Sequence, residues 1–123
     1  MTGRTLQGLR VLVVEDEALI AMMLEDMLAG LGCVVVGPIA RLAPAVSAAH
    51  QHELDCALLD VNLNGEAVLP VADALEQRRI PFLFVTGYGA VGADQRFAER
   101  PLVRKPFKRD EIAQALARLI SAE

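Results

Sequence analysis

Five short, uniformly apolar runs separated by amphipathic stretches constrain this chain more than any other feature. They fall at residues 11–14, 34–37, 56–59, 82–85 and 102–103. Each is too short for a helix and too apolar for a half-exposed strand, so the pattern predicts strands covered on both faces and joined by helices. A strong helix is expected over 18–29, with Ile20, Leu24, Met27, Leu28 and Leu31 on one face and Gly30 and Gly32 to stop it. A second is expected over about 44–51, with Pro44 tolerated in its first turn. The third carries Val68, Val71, Ala72 and Leu75 on one face and ends near Arg78, before Pro81. The last, over about 109–121, buries Ile112, Ala115, Leu116, Leu119 and Ile120. The glycine-rich stretch 87–100, closed by Pro101, leaves room for only a short or mobile fourth helix around 93–98. Five strands alternating with five helices specify an α/β fold, a doubly wound open parallel sheet with helices on both faces. Such sheets bind ligands beyond the carboxyl ends of their strands.

Length and composition narrow the function. The 123 residues fit one domain, 1–123, and 54% apolar content suffices for a core built of aliphatic side chains, because aromatics are only 4%. A net charge of −4 without any Lys/Arg-rich run argues against a nucleic-acid partner. Cys33 and Cys56 lie in apolar surroundings and read as buried reduced thiols. Neither a signal-peptide core nor a membrane-length apolar run is present in the sequence, so a cytoplasmic location is expected.

The chemistry-bearing residues sit where the runs end. Glu15 and Asp16 follow the first, Asp60 ends the third, Thr86 ends the fourth and Lys105 follows the fifth. In a parallel sheet these ends share one edge, so distant residues converge. Carboxylates brought together repel and raise one another's proton affinity. A hard divalent cation relieves this, and Mg2+ favours one or two carboxylates plus water and phosphate oxygens. A lysine and a hydroxyl add a cation and a donor for phosphoryl oxygens. Phosphoryl transfer to a carboxylate, with Asp60 as nucleophile, is the chemistry this set implies.

Val-Val-Glu15-Asp16-Glu17, Leu-Leu-Asp60-Val-Asn62, Val-Thr86-Gly and Arg-Lys105-Pro106-Phe107 resemble, in order, the four signatures of response-regulator receiver domains of two-component signalling. The resemblance covers nearly the whole chain and implies the flavodoxin-like strand order 2-1-3-4-5. It further implies that Asp16 ligates Mg2+, with Glu15 as an outer acidic partner, Asp60 as ligand and phosphoacceptor, and Asn62 contributing its backbone carbonyl. Thr86 and Lys105 would hold the phosphoryl group, and the Lys105–Pro106 bond would be cis. The implied partner is a histidine kinase or phosphotransfer protein, and the implied behaviour is self-catalysed phosphotransfer and dephosphorylation, not enzymatic turnover.

Three departures from the family pattern stand out. The loop after Asp60 lacks the usual proline and two further residues before Gly65. Leu102 occupies the place, three before Lys105, where most receivers carry a switching Tyr or Phe. The run Phe82-Leu-Phe-Val-Thr-Gly-Tyr88 resembles a subgroup with a Phe-x-Phe-x-Thr-Gly-Tyr strand, often single-domain and paired with HWE-type kinases. Thr86, Tyr88 and Leu102 are therefore the switch candidates, Tyr88 as a substitute aromatic. Without a linker or output segment in view, a stand-alone receiver acting by protein contact is expected.

Rival readings fare worse. Gly87-Tyr-Gly89-Ala-Val-Gly92 spells a dinucleotide fingerprint, but Pro101 closes the segment before a full helix can follow. An aspartate-nucleophile phosphatase would want an acid two residues after Asp60, where Asn62 stands. A phosphorylation-independent docking module would not need the complete acidic set. His50 and His52, two apart, do not share a helix face and read as exposed. Finally, with the first helix's core stripe centred on Leu24, Leu19 and Met22 fall on the outer face together with Ala29. Exposed apolar residues there, next to the acidic pair, mark a candidate kinase-docking face.

Overall fold

The computed structural model describes residues 6–63, 65–87 and 102–121. In chain order the elements are β1 (Arg10–Val14), α1 (Ala18–Gly30), β2 (Val34–Ile39), α2 (Leu42–Gln51), β3 (Cys56–Asp60), β4 (Asn62–Leu63), β5 (Glu66–Ala67), α3 (Leu69–Gln77), β6 (Phe82–Thr86), β7 (Leu102–Arg104) and α4 (Arg109–Ser121). The large sheet is wholly parallel, in the order β2-β1-β3-β6-β7, which is 2-1-3-4-5 when only its own strands are counted. Four helices lie among the described residues. The short helix expected around 93–98 and Tyr88 lie outside the described residues.

Strand alternation sorts the core into two layers. Leu12, Val14, Ala57, Leu59, Phe82 and Phe84 pack with α2 and α3, while Val11, Val13, Cys56, Leu58, Leu83 and Val85 pack with α1 and α4. Phe82 and Phe84 meet edge to face, with ring centroids 5.6 Å apart. β3 and β6 are buried along their whole length, as their composition predicts. β2 is not: it is an edge strand, part-exposed throughout, with Val34 44% exposed, so coverage on both faces fails there. An apolar run cannot distinguish an edge from a central strand when its outer neighbour is solvent.

Helix boundaries shift for identifiable reasons. Gly30 is the last residue of α1, and the stop is Gly32, at φ +87°. The amide of Gly32 donates to Ala29 O and that of Cys33 to Leu28 O, a Schellman closure. α2 begins at Leu42, two residues before Pro44, because the extended backbone of Arg41 already opens the first turn, where a proline lacks no needed donor. Both cysteines are buried and in no disulfide among the described residues, and both histidines are exposed.

One irregularity bears on the site. The β1–β2 register shifts between Leu12 and Val14, around a cis Gly37–Pro38 bond. Gly37 has φ +103°, and a Cβ on it would come within 2.8 Å of Val13 O. Only glycine fits this approach. It lets β2 run on to Ile39, whose carbonyl accepts the amide of Glu15 at 3.0 Å. The acidic turn is thereby tied to the sheet by its backbone.

Candidate phosphoryl-acceptor site

The carboxyl ends of β1, β3 and β6 deliver Glu15, Asp60 and Thr86 to one rim, all three almost fully buried. Asp60 pairs in register with Val85, which puts Thr86 one step beyond it on the neighbouring strand. Lys105 follows β7, and its amide donates to Thr86 O at 2.8 Å. The Lys105–Pro106 bond is cis, as the resemblance implied. Residues up to 90 positions apart in sequence are thus held by four parallel strands.

Lys105 is the electrostatic hub. Its Nζ lies 2.9 Å from Glu17 Oε1, 3.1 Å from Glu15 Oε1 and 3.7 Å from Asp60 Oδ2. Hydrogen bonds run from Nζ to Glu17 Oε1 and, at 3.3 Å, to Glu15 Oε2. Burial pushes the ammonium down, but these bonds and the charges of Glu15 and Asp60 outweigh it, so its pKa rises. The Asp60 carboxyl is pushed up to about 8, by burial first, then by hydrogen bonds shared with Glu15 and Asp16 and by the Glu15 charge. Lys105 pulls the other way and does not prevail.

The same set fits a hard cation. Ligand oxygens of Glu15, Asp16 and Asp60 all lie within 4.8 Å of one another. Glu15 Oε1 is buried and accepts no hydrogen bond from the described residues, although Lys105 Nζ pairs with it at 3.1 Å. An all-oxygen donor set with surplus negative charge suits Mg2+ better than a softer metal. Asn62 enters β4 two residues after Asp60, and its backbone pairs with Ala67.

A family model for the response regulator receiver domain matches residues 11–117. The chain belongs to this family. Receivers are signalling modules, and the relatives agree. SdrG from Sphingomonas melonis Fr1 is 45% identical, with a TM-score of 0.81 over 94% of this chain and 98% of that one. SdrG has also been solved in a BeF3-activated conformation, 47% identical, with a TM-score of 0.76 over 90% of this chain and 95% of that one. The receiver domain of sensor histidine kinase PA1611 from Pseudomonas aeruginosa PAO1, solved with a magnesium ion in its active-site cleft, is 29% identical. Its TM-score is 0.79 over 92% of this chain and 98% of that one. The phyllosphere-induced regulator PhyR of Methylorubrum extorquens is 33% identical over 119 residues, 89% of this chain and 43% of that protein. The chain spans about half the length of the curated relatives it matches.

The receiver places the remaining sequence candidates as follows. Leu19 and Met22 on α1 are 69% and 63% exposed, and Ala29 is exposed on the same helix. Leu102 pairs with Phe84 and packs, part-buried, against the layer formed by α2 and α3. No helix among the described residues is long and apolar enough to cross a membrane. The sequence reading missed two features. The short loop after Asp60 folds as the β4–β5 hairpin, its turn containing Gly65 at φ +87°. Two-residue strands carry no periodicity to find. The other is Glu17, which grips Lys105; its only signal was a third acid directly after the acidic pair.

Proposed function

We propose that this receiver is a cytoplasmic phosphoacceptor that takes a phosphoryl group from a histidine kinase, or from a phosphotransfer protein, onto Asp60 and signals by protein contact. The observation that carries this reading is a buried carboxylate at a strand end, within ligand distance of two further acids and 3.7 Å from a lysine. An Asp60 oxygen attacks phosphorus in line, forming the P–O bond as the P–N bond of the phosphohistidine breaks, and the imidazole leaves with the electron pair. Mg2+, when held by Asp16, Asp60 and the Asn62 carbonyl with Glu15 behind them, supplies charge neutralisation to the phosphoryl oxygens. Lys105 contributes an ammonium and Thr86 a hydroxyl to the same oxygens. The chain promotes its own transfer and dephosphorylation and is not a turnover enzyme; in place of the acid that a phosphatase would want two residues after the nucleophile stands Asn62. The BeF3-activated form of SdrG and the magnesium in the PA1611 receiver support the same chemistry here.

On phosphorylation Thr86 turns to the phosphoryl group, with Tyr88 in place of the aromatic that Leu102 replaces. The kinase, of the HWE type by the Phe-x-Phe-x-Thr-Gly-Tyr run, docks on Leu19 and Met22, which flank the acidic turn. Radiolabelled phosphotransfer from a cognate kinase tests both parts. Asp60→Asn abolishes labelling, because an amide is no nucleophile; full labelling of that variant would falsify the assignment. Met22→Glu slows transfer from the kinase while a small-molecule donor works at the wild-type rate. Equal slowing with both donors, or with neither, removes this face as the dock.

A further inference from the structure

Glu17 stands at the N-cap of α1, yet its carboxylate makes no capping hydrogen bond. It reaches instead to Lys105, where it makes the shortest of the lysine's three acidic contacts, 2.9 Å against 3.1 Å to Glu15 and 3.7 Å to Asp60. The ammonium that must meet a group on Asp60 is therefore held more closely by Glu17 and Glu15 than by Asp60, from which it stands beyond hydrogen-bond length. The two acids that hold it differ. The Glu15 side chain is fully buried and its neighbour Glu17 donates a backbone amide to it at 3.1 Å, so it cannot leave. The Glu17 side chain is 62% exposed and can swing into water at little cost.

We propose that Glu17 is a positioning residue that restrains phosphoryl capture: in the resting receiver it competes with the incoming phosphoryl group for the Lys105 ammonium. The proposal rests on the phosphoacceptor reading above. Capture then exchanges one anionic partner of Lys105 for another, and the releasable Glu17 is the one exchanged. Because the lost pair is exposed and screened, its removal changes affinity modestly.

The test is a titration of the full chain, saturated with Mg2+, with beryllofluoride as the phosphoryl mimic, followed by amide NMR shifts. Glu17→Gln keeps the shape and removes the charge, and the half-saturating concentration is expected to fall about threefold, within the range an exposed ion pair allows. Glu25→Gln, which removes one exposed charge from α1 away from Lys105, serves as the control and is expected to leave that concentration unchanged. An unchanged or higher value for Glu17→Gln overturns the proposal. So does an equal fall in Glu25→Gln, which would trace the gain to net charge alone. A wild-type chain that takes up no beryllofluoride overturns the phosphoacceptor reading itself and this proposal with it, a result distinguishable from the other two.

Discussion

At the amino ends of the parallel strands, charged side chains close off backbone groups; at the carboxyl ends, they crowd one another. Arg10 donates its amide to Asp55 Oδ2 and its Nε to Glu53 O, both at 2.8 Å, locking the start of β1 to the approach to β3. Arg78 donates from Nη1 to Ala49 O at 2.7 Å and to His52 O at 2.8 Å, closing the last turn of α2. Across the sheet, one Glu15 oxygen has an ion pair but no hydrogen bond among the described residues, and Asp60 is driven toward its neutral form. One end is arranged for stability. The other holds unfavourable charge, which in the proposed function a cation and a phosphoryl group relieve, much as binding sites commonly trade stability for function.

The largest test of this contrast is Asp60→Asn read as stability as well as labelling. Loss of labelling is complete, yet the metal-free variant is expected to be as stable as wild type or more so, by on the order of 1 kcal/mol near pH 8. The folded pKa of about 8 lies above the ordinary 3.8, so the carboxyl's contribution is intact below about 3.8 and lost as pH rises toward 8. The gap between variant and wild type therefore widens over that window in urea melts, and Mg2+ narrows it. A variant less stable than wild type at pH 8 would mean that Asp60 is well satisfied, and the contrast would break.

Gly37→Ala comes next. A methyl group at φ +103° and 2.8 Å from Val13 O cannot be accommodated without moving backbone, and a loss of about 1–3 kcal/mol is expected. Because Ile39 O holds the Glu15 amide, the same variant should also weaken Mg2+ binding. Calorimetry with and without Mg2+ separates the two effects. A stability loss with unchanged Mg2+ affinity would show that the acidic turn does not depend on β2.

These residues also mark how far the sequence could be read. Asp16, Asp60, Thr86 and Lys105 were legible because a parallel sheet sends every carboxyl end to one rim, so strand position alone predicts their meeting. Gly37 ends an apolar run in the sequence, and nothing in Val-Val-Val-Gly-Pro-Ile says that the strand continues through a register shift to Ile39. Glu17 stands at a helix start, where acids are common and usually inert. Its partner is a lysine 88 positions away, and only the assembled sheet brings them together.

At the satisfied end, Arg78→Ala removes both hydrogen bonds to the α2 carbonyls and is expected to cost about 1 kcal/mol, most of it at the buried Ala49, since His52 is exposed and its carbonyl can recover water. Phosphoryl labelling should be unchanged. If labelling falls in step with stability, the two ends are coupled and the division drawn here is too sharp.

The smallest effect is expected at the residue next to it. α3 closes as α1 does: the amide of Arg79 donates to Glu76 O at 3.0 Å and that of Ile80 to Leu75 O at 2.9 Å, with Ile80 buried beneath the turn. In α1 the left-handed position is Gly32; in α3 it is Arg79, at φ 58°. A Cβ in that conformation is strained, by about 1 kcal/mol for most side chains. Arg79→Gly relieves it but loosens the unfolded chain, which offsets part of the gain. The net expectation is a rise of up to about 0.5 kcal/mol in urea denaturation, with labelling unaffected. A clear loss of stability would show that the Arg79 side chain does more for the helix end than its backbone costs, and that even the satisfied end of the sheet depends on surface charge.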